Sequence, residues 1–254
     1  MVKKSAPMLL AEQLKKASWE AVPIMLAGNT DCYQPIERKL EITRQILEVL
    51  LRFRHPVGLI TKNSLVLRDL DLLEALNQDD LVHVSISLTT LDEDLRRLLE
   101  PRTSTVINRL KNIQKLSERG IPVNVMMAPI IPGLNEHEIM ETAKKVAELG
   151  AKSIAYTMVR LNGDVSEIFE DWIRKTFPDR ADKVLNKIKS CHNGKLSDNR
   201  FGTRMTGEGR VAEIIAQQFK LAKNRYFKDR KIKPYNLSLY KRFNGQDSDA
   251  FNRP

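Results

Sequence analysis

The sequence predicts an α/β fold in which parallel strands alternate with covering helices and form part of a barrel. Short apolar segments recur at regular spacing, and they cover residues 23–27, 57–61, 82–88, 122–130 and 153–159. A helical pattern separates each pair, as neighbouring parallel strands require. After Leu161 only helical patterns follow. Because a closed barrel of this class needs eight strands, five strands predict an open, partial barrel.

Local signals justify the helices that connect these strands. Thr90 is the expected N-cap of one helix, because acidic residues follow it in the first turn, and Pro101 ends that helix. Gly120 and Gly150 are typical residues after a helix C-terminus. The predicted helices cover residues 8–16, 36–52, 68–77, 90–100, 105–119, 136–149, 165–190 and 208–226.

The chain divides into three parts by this pattern. Residues 1–163 are predicted to be the partial barrel, and residues 164–228 a helical extension that contains the loop RFGTRMTGEG. Residues 229–254 are rich in Lys, Asn, Ser and Asp, and we expect them to be a flexible tail without fixed structure. Apolar residues of this tail that offer docking points are Tyr235, Leu237, Leu239 and Phe243.

The composition restricts the partners and the compartment. The net charge is +10 and the pI is about 9.6, which favours a polyanion such as nucleic acid, unless the charges are spread over solvated faces. The sequence has two cysteines, Cys32 and Cys191, and no pattern of a disulfide framework, which fits a reducing cytoplasm. No segment reaches the roughly 20 apolar residues of a membrane span.

The first two strands end in polar groups. Strand 23–27 stops at Gly28, and the turn Asn29-Thr30-Asp31 follows; strand 57–61 leads directly to Lys62. Ligands of parallel βα folds bind at such strand ends. Lys62 could hold an anionic ligand, form a Schiff base after desolvation, or pair with a loop carboxylate such as Asp31.

The third strand has a polar face. His83, Ser85, Ser87 and Thr89 alternate with apolar residues along 82–89. Buried hydroxyl groups need hydrogen-bond partners. We expect a polar ligand or ordered water to supply them, and the alternative is that they bond to backbone carbonyls.

Three further features have weaker signals. The loop 198–209 places Arg200 and Arg204 among three glycines before a helix, so it could hold phosphates or be a plain connection. Cys191 and His192 are adjacent, but two residues do not make a metal site. A lone cysteine such as Cys32 is usually a small buried apolar residue.

Several segments together resemble the radical SAM superfamily, in the branch of spore photoproduct lyase and DNA repair photolyase-like proteins. The resemblance covers the chain to about residue 225. The segments are AGNTDCYQPIERKLEITRQILEVL, LITKNSLVLRDLDLL, VSISLTTLD, EPRTS, GIPVNVMMAPIIPGLNE and RFGTRMTGEG.

This resemblance implies a partial barrel that binds S-adenosylmethionine (SAM) and a [4Fe–4S] cluster, with hydrogen abstraction from substrate by a 5′-deoxyadenosyl radical. The turn Gly28-Asn29-Thr30-Asp31 matches the family's contact with the SAM amino group, and Lys62 matches the contact with its carboxylate. Ser85 and Ser87 match further polar contacts. Ala128 and Pro129 match the segment under the adenine.

The sequence departs from the family in its cysteines. The cluster ligands of the family form a CxxxCxxC loop after the first strand, and Cys32 and Cys191 do not make such a loop. We therefore expect a truncated or degenerate relative, with the first strand missing, no metal ligands and an unpaired edge at strand 23–27.

Three functional hypotheses remain at this point. The first is a radical SAM protein that cannot bind its cluster alone. The second is a Schiff-base lyase that uses Lys62. The third is a non-catalytic module that binds nucleic acid through its basic surface.

Overall fold

The computed structural model of the chain describes residues 2–196, 200 and 202–242. Its centre is a sheet of five parallel strands in the order β1-β2-β3-β4-β5, so that each crossover leads to the neighbouring strand. The strands are β1 (Ile24–Leu26), β2 (Val57–Thr61), β3 (Val82–Ser87), β4 (Val123–Ile130) and β5 (Ser153–Met158). The predicted α/β fold with five parallel strands is confirmed.

Helices connect the strands and follow the last one. They are α1 (Ala6–Lys15), α2 (Glu37–Leu40), α3 (Ile42–Arg52), α4 (Leu70–Gln78), α5 (Glu93–Leu99), α6 (Val106–Glu118), α7 (Ile139–Glu148), α8 (Val165–Thr176), α9 (Ala181–Cys191) and α10 (Gly209–Tyr226). Two 3₁₀ segments, Ser64–Asp69 and Glu136–Glu138, precede α4 and α7. Helices α8 to α10 follow β5, where the sequence has only helical patterns.

The described residues form two compact units. The first unit contains residues 2–85, 115–123 and 232–242, and the second contains the described residues of 86–114 and 124–231. The first is built around β1 and β2, which pair in parallel with Ile24 opposite Val57 and Leu26 opposite Leu59. The boundary predicted at residue 163 stays a prediction.

Each unit has its own apolar core. In the first unit α1 packs on α3, and α3 packs on α4. Fully buried side chains there include Leu14, Leu47, Leu50, Phe53, Leu59, Leu73 and Leu76. In the second unit one cluster joins residues after β4 and β5 to α8 and α9, and it includes Ile131, Leu161, Ile173, Val184, Leu185 and Ile188.

The predicted helix over 36–52 is interrupted at one residue. Glu41 adopts a left-handed conformation with φ 50°, which separates α2 from α3. The carboxylate of buried Glu37 accepts the backbone N–H of Thr43 at 2.9 Å, in the first turn of α3. The backbone N–H groups at the N-terminus of a helix need acceptors from outside the helix. Glu37 supplies one such acceptor for α3.

The prediction that Thr90 caps the N-terminus of α5 is wrong. Asp92 caps α5 instead, because its side chain accepts the backbone N–H groups of Asp94 and Leu95. The hydroxyl of Thr90 donates to the buried carboxylate of Glu138 at 2.7 Å. Thr90 therefore fixes the 3₁₀ segment before α7, a contact between residues far apart in sequence.

Part of the predicted tail is attached to the first unit. Residues 229–242 form neither helix nor strand. The Tyr235 ring nevertheless stacks on the His83 ring with centroids 3.8 Å apart, and the Tyr240 hydroxyl donates to the carbonyl oxygen of Leu14. The expected lack of fixed structure does not hold for residues 232–242. Residues 243–254, including the predicted docking residue Phe243, lie outside the described residues.

Candidate functional site

The exposed turn after β1 is the first part of the candidate site. Ala27 has a left-handed backbone with φ 68°, and this turns the chain sharply after the strand. The residues Gly28, Asn29 and Thr30 are then exposed, and Asp31 is half-buried. The predicted site residues of this turn therefore present their backbone and short side chains at the carboxyl end of β1, where parallel βα folds bind ligands.

Asp31 holds this turn against the end of β2. Its Oδ1 accepts the Thr61 hydroxyl at 2.8 Å and the backbone N–H of Tyr33 at 3.0 Å. Its Oδ2 accepts the backbone N–H of Lys62 at 2.9 Å. Both carboxylate oxygens thus accept protein donors, and these hydrogen bonds fix the turn.

A buried ion-pair network lies under the same turn. The side chain of Asp69 is fully buried and accepts the Tyr33 hydroxyl at 3.1 Å. Arg68 donates to both oxygens of Asp69 at 2.7 and 2.9 Å, and Arg44 donates to one of them at 3.3 Å. The hydrogen bond to Asp69 raises the pKa of Arg68, while burial and the Asp69 charge raise the pKa of Tyr33 well above its ordinary value.

Lys62 stands beside this fixed turn. It is half-buried, directly after β2, and its backbone N–H is the group that bonds to Asp31. The next residue, Asn63, donates from its side chain to the carbonyl of Tyr33 at 2.7 Å and caps the following 3₁₀ segment. Lys62 therefore leaves the strand from a backbone that is held on both sides.

His83 and Thr89, on the polar face of 82–89, contact backbone carbonyl groups. His83 Nε2 lies 2.9 Å from the carbonyl oxygen of Lys233, and burial lowers the pKa of this histidine. The Thr89 hydroxyl donates to the carbonyl of Ala128 at 3.1 Å. For the Thr89 hydroxyl, the predicted alternative of a hydrogen bond to a backbone carbonyl is therefore correct. Ser85 is half-buried and Ser87 is buried, and their predicted contact with a ligand stays a prediction.

Ala128 and Pro129 are held by a residue that sequence reasoning missed. Asn135, buried in the second unit, donates from one amide nitrogen to the carbonyls of Thr89 at 2.8 Å and Pro129 at 3.0 Å. Its side-chain oxygen accepts the backbone N–H of Ile131 at 2.7 Å. An asparagine shortly after a Pro-Gly pair was the available signal, since Asn side chains often bond to nearby backbone.

The arginine loop is partly described. Arg200 forms an ion pair with Glu208 at 2.6 Å, and the backbone N–H of Arg204 bonds to the carbonyl of Arg200 at 3.2 Å. Residues 197–199 and 201 of this segment lie outside the described residues. A phosphate contact by Arg200 and Arg204 stays a prediction, and one of these two charges is already compensated by a carboxylate.

The cysteines do not fit an iron–sulfur cluster. Burial raises the pKa of Cys32 to about 12, and burial also raises the pKa of Cys191, which is enclosed at the end of α9. Clusters need thiolate ligands, which such environments disfavour. Across the described ranges, no group of three His, Cys, Asp or Glu side chains could hold a metal ion.

Within the part of the chain that the structure describes, no helix combines the length and apolarity needed to cross a bilayer.

Comparison with known proteins gives relatives that match about two thirds of this chain. An uncharacterized protein of Mycobacterium bovis is 29% identical over 181 residues, which are 70% of this chain and 53% of that protein. The FeMo cofactor biosynthesis protein NifB of Chlorobaculum tepidum is 25% identical over 185 residues, 65% of this chain and 42% of NifB. The chain spans about half the length of the curated relatives it matches.

Solved structures show the same fold. Spore photoproduct lyase with bound AdoMet and a dinucleoside spore photoproduct matches with a TM-score of 0.64 and 17% identity, over 87% of this chain and 63% of the lyase. The match supports the fold alone at this level of identity. The family model described as the Radical SAM superfamily matches residues 4–146, more than half of the chain. The chain therefore belongs to the radical SAM superfamily.

Proposed function

We propose that this chain binds SAM and does not hold the [4Fe–4S] cluster by its own residues. SAM is a zwitterionic amino acid with a sulfonium, so its binding needs a cation, acceptors and a slot for adenine. The residues proposed for these contacts are Gly28, Asn29, Thr30, Asp31, Lys62, Ser85, Ser87, Ala128 and Pro129. In the superfamily, a [4Fe–4S] cluster supplies the electron that cleaves SAM. Cys32 is half-buried and Cys191 is buried, and burial raises the pKa of both thiols, so these two residues do not fit that cluster.

The observation that carries the proposal is the fixed turn of the first unit. The Asp31 carboxylate joins the exposed residues Gly28 to Thr30 to the backbone of Lys62, through a hydrogen bond of 2.9 Å. The ammonium side chain of Lys62 and the exposed turn are thereby held on one connected element. Such preorganisation lowers the ordering cost of binding a small charged ligand.

Nucleic acid is the proposed substrate class. The net charge of +10 favours polyanions, and a matched spore photoproduct lyase structure contains a dinucleoside photoproduct. Both cysteines are free, which supports a reducing compartment, and we place the protein in the cytoplasm.

Isothermal titration of the full chain with SAM tests the binding. We expect saturable binding, which Lys62→Met weakens about tenfold or more, because an ionic hydrogen bond is worth about 1.5–3 kcal/mol. The matched control is Lys39→Met, at an exposed residue of α2 that we expect to leave the affinity unchanged. An equal loss in both variants, or no SAM binding at all, would contradict the proposal.

Anaerobic reconstitution with iron and sulfide tests whether the chain can hold a [4Fe–4S] cluster by its own residues. We expect no stable cluster and no cleavage of SAM by the chain alone. Incorporation of about four irons per chain, as a [4Fe–4S] cluster contains, would show that the cysteine argument is wrong.

A further inference from the structure

The second unit contains a cavity with a strongly basic wall. Its volume is about 330 Å³, and it lies where the loop after β4 meets the start of α9. The lining residues are Gly133, Glu136, His137, Arg180, Lys183 and Lys187. None of them belongs to the residues proposed for SAM.

The single carboxylate of this lining is already neutralised. Glu136 Oε1 lies 2.7 Å from Lys187 Nζ, and its other oxygen accepts the backbone N–H of Gly133 at 2.7 Å. Arg180 and Lys183 are exposed, and no ion pair involves either of them among the described residues. The cavity thus presents two uncompensated cations, a charge that matches a phosphate monoester dianion.

Arg180 and Lys183 also stand at the N-terminus of a full-length helix. Arg180 is the N-cap residue of α9, and Lys183 lies in its first turn. The free N–H groups and the positive end of the helix dipole add to the two side-chain charges. The first turn of α9 also contains Asp182, and its carboxylate pairs with Arg174 at 2.9 Å.

A second cavity adjoins the first and is different in character. Its volume is about 300 Å³, and it shares His137 and Arg180 with the basic cavity. Apolar side chains form much of its wall, namely Leu95, Leu98, Leu134 and Phe177. Leu98 is 45% exposed, so its side chain is accessible at this wall. Of the three acidic lining residues, Glu138 is bonded to Thr90, Asp92 caps α5, and the exposed Asp94 lies 3.8 Å from Arg97.

We propose that these joined cavities bind a phosphate monoester of a planar organic group, as in a nucleoside monophosphate or the phosphorylated end of a nucleic acid. The phosphate occupies the basic cavity, held by Arg180 and Lys183. The ring occupies the apolar cavity against Leu98 and Phe177, where aromatic stacking is available. The site goes beyond the proposed function, because none of its lining residues is among those proposed for SAM and its ligand needs no SAM.

Fluorescence of Trp172 provides a readout next to the site. The Trp172 ring lies 5.9 Å from the Phe177 ring, and the other tryptophan, Trp19, belongs to the first unit and can be replaced by Phe. The full chain with Trp19→Phe is titrated with uridine monophosphate, uridine and inorganic phosphate. Uridine compounds avoid competition for the adenine contacts proposed for SAM.

We expect uridine monophosphate to bind more tightly than phosphate or uridine alone. The double variant Arg180→Gln and Lys183→Gln should weaken its binding about tenfold or more, because two ionic contacts are lost. Leu98→Gln, which adds no charge, should weaken uridine monophosphate and leave inorganic phosphate unchanged. Lys220→Gln, at an exposed lysine of α10, is the matched control and should have no effect.

The outcomes decide between a built site and general charge attraction. Absence of saturable binding at millimolar ligand, or equal losses in the double variant and in the Lys220 control, would overturn the proposal. Equal affinity for phosphate and uridine monophosphate would overturn the assignment of the apolar cavity. A 5′-phosphorylated oligonucleotide that binds more tightly than its unphosphorylated form would identify a nucleic acid end as the source of the phosphate, and the reverse order would overturn that source. Circular dichroism of each variant verifies that the fold is retained.

Discussion

The carboxylate of Asp31 accepts the hydroxyl of Thr61 at 2.8 Å and thereby joins the turn after β1 to the end of β2. The two residues are 30 positions apart in sequence. This hydrogen bond, with the two from backbone N–H groups, makes an exposed polar turn a fixed part of the first unit. Mutations of the residues that hold it should therefore affect stability and ligand binding together.

Asp31→Asn should destabilise the chain by about 1–3 kcal/mol, the cost of a buried donor left without its acceptor. One carboxylate oxygen becomes an NH₂ group, which then faces the backbone N–H of Tyr33 or of Lys62. Urea unfolding measures the free energy. Asn29→Ala, in the exposed part of the same turn, should leave the unfolding free energy within about 0.5 kcal/mol of the wild type. Equal effects of the two changes would contradict the structural role of Asp31.

Asp69→Asn should be more costly, by about 3–5 kcal/mol, because it leaves the charges of Arg68 and Arg44 without their buried partner. The matched control is Asp71→Asn. Asp71 also pairs with Arg44, at 2.7 Å, but its side chain is 59% exposed, so its loss should cost less than about 1 kcal/mol. Similar unfolding midpoints for the two variants would show that the buried network adds nothing.

The free energy of unfolding should fall as the pH is lowered, because His83 is protonated more readily in the unfolded chain than in the folded one. Burial lowers the pKa of His83 in the folded chain, so the unfolded chain takes up a proton first as the pH falls below about 6.5. The stabilisation by the neutral ring is therefore present above that pH and is lost below it, down to the folded pKa. Urea midpoints at several pH values measure the effect. His83→Gln should flatten this dependence, and an unchanged pH profile would contradict the assignment.

Tyr235→Ala should destabilise the first unit by about 1–3 kcal/mol, because the ring is half-buried and its packing on His83 is lost. The Tyr235 ring stacks on His83, and its hydroxyl oxygen would lie 2.9 Å from a Cβ added at Gly58, which shows how closely it covers β2. Leu237→Ala, at a residue that is 50% exposed, is the control and should cost less than about 0.5 kcal/mol. A negligible effect of Tyr235→Ala in thermal unfolding would mean that the segment 232–242 is not docked in solution.

Hydrophobic periodicity predicted the strands well. The predicted strand 57–61 agrees with β2 to the residue, and the other four agree within two residues at each end. Such local patterns are sufficient because a buried parallel strand is apolar on both faces. The break at Glu41 and the N-cap at Asp92 were missed, since each depends on which acceptor the side chain reaches.

The sequence by itself determined the alternation of strands and helices, the family and the position of the candidate residues at strand ends. Those properties depend on residues close together in the chain. Only the tertiary structure decided that Asp31 bonds to Thr61, that Tyr235 covers His83, and that Lys187 neutralises Glu136 beside two other cations. The physical reason is that hydrogen bonds, ring contacts and ion pairs of this kind join side chains distant in sequence, and their partners are selected only when the folded backbone brings them within a few ångströms.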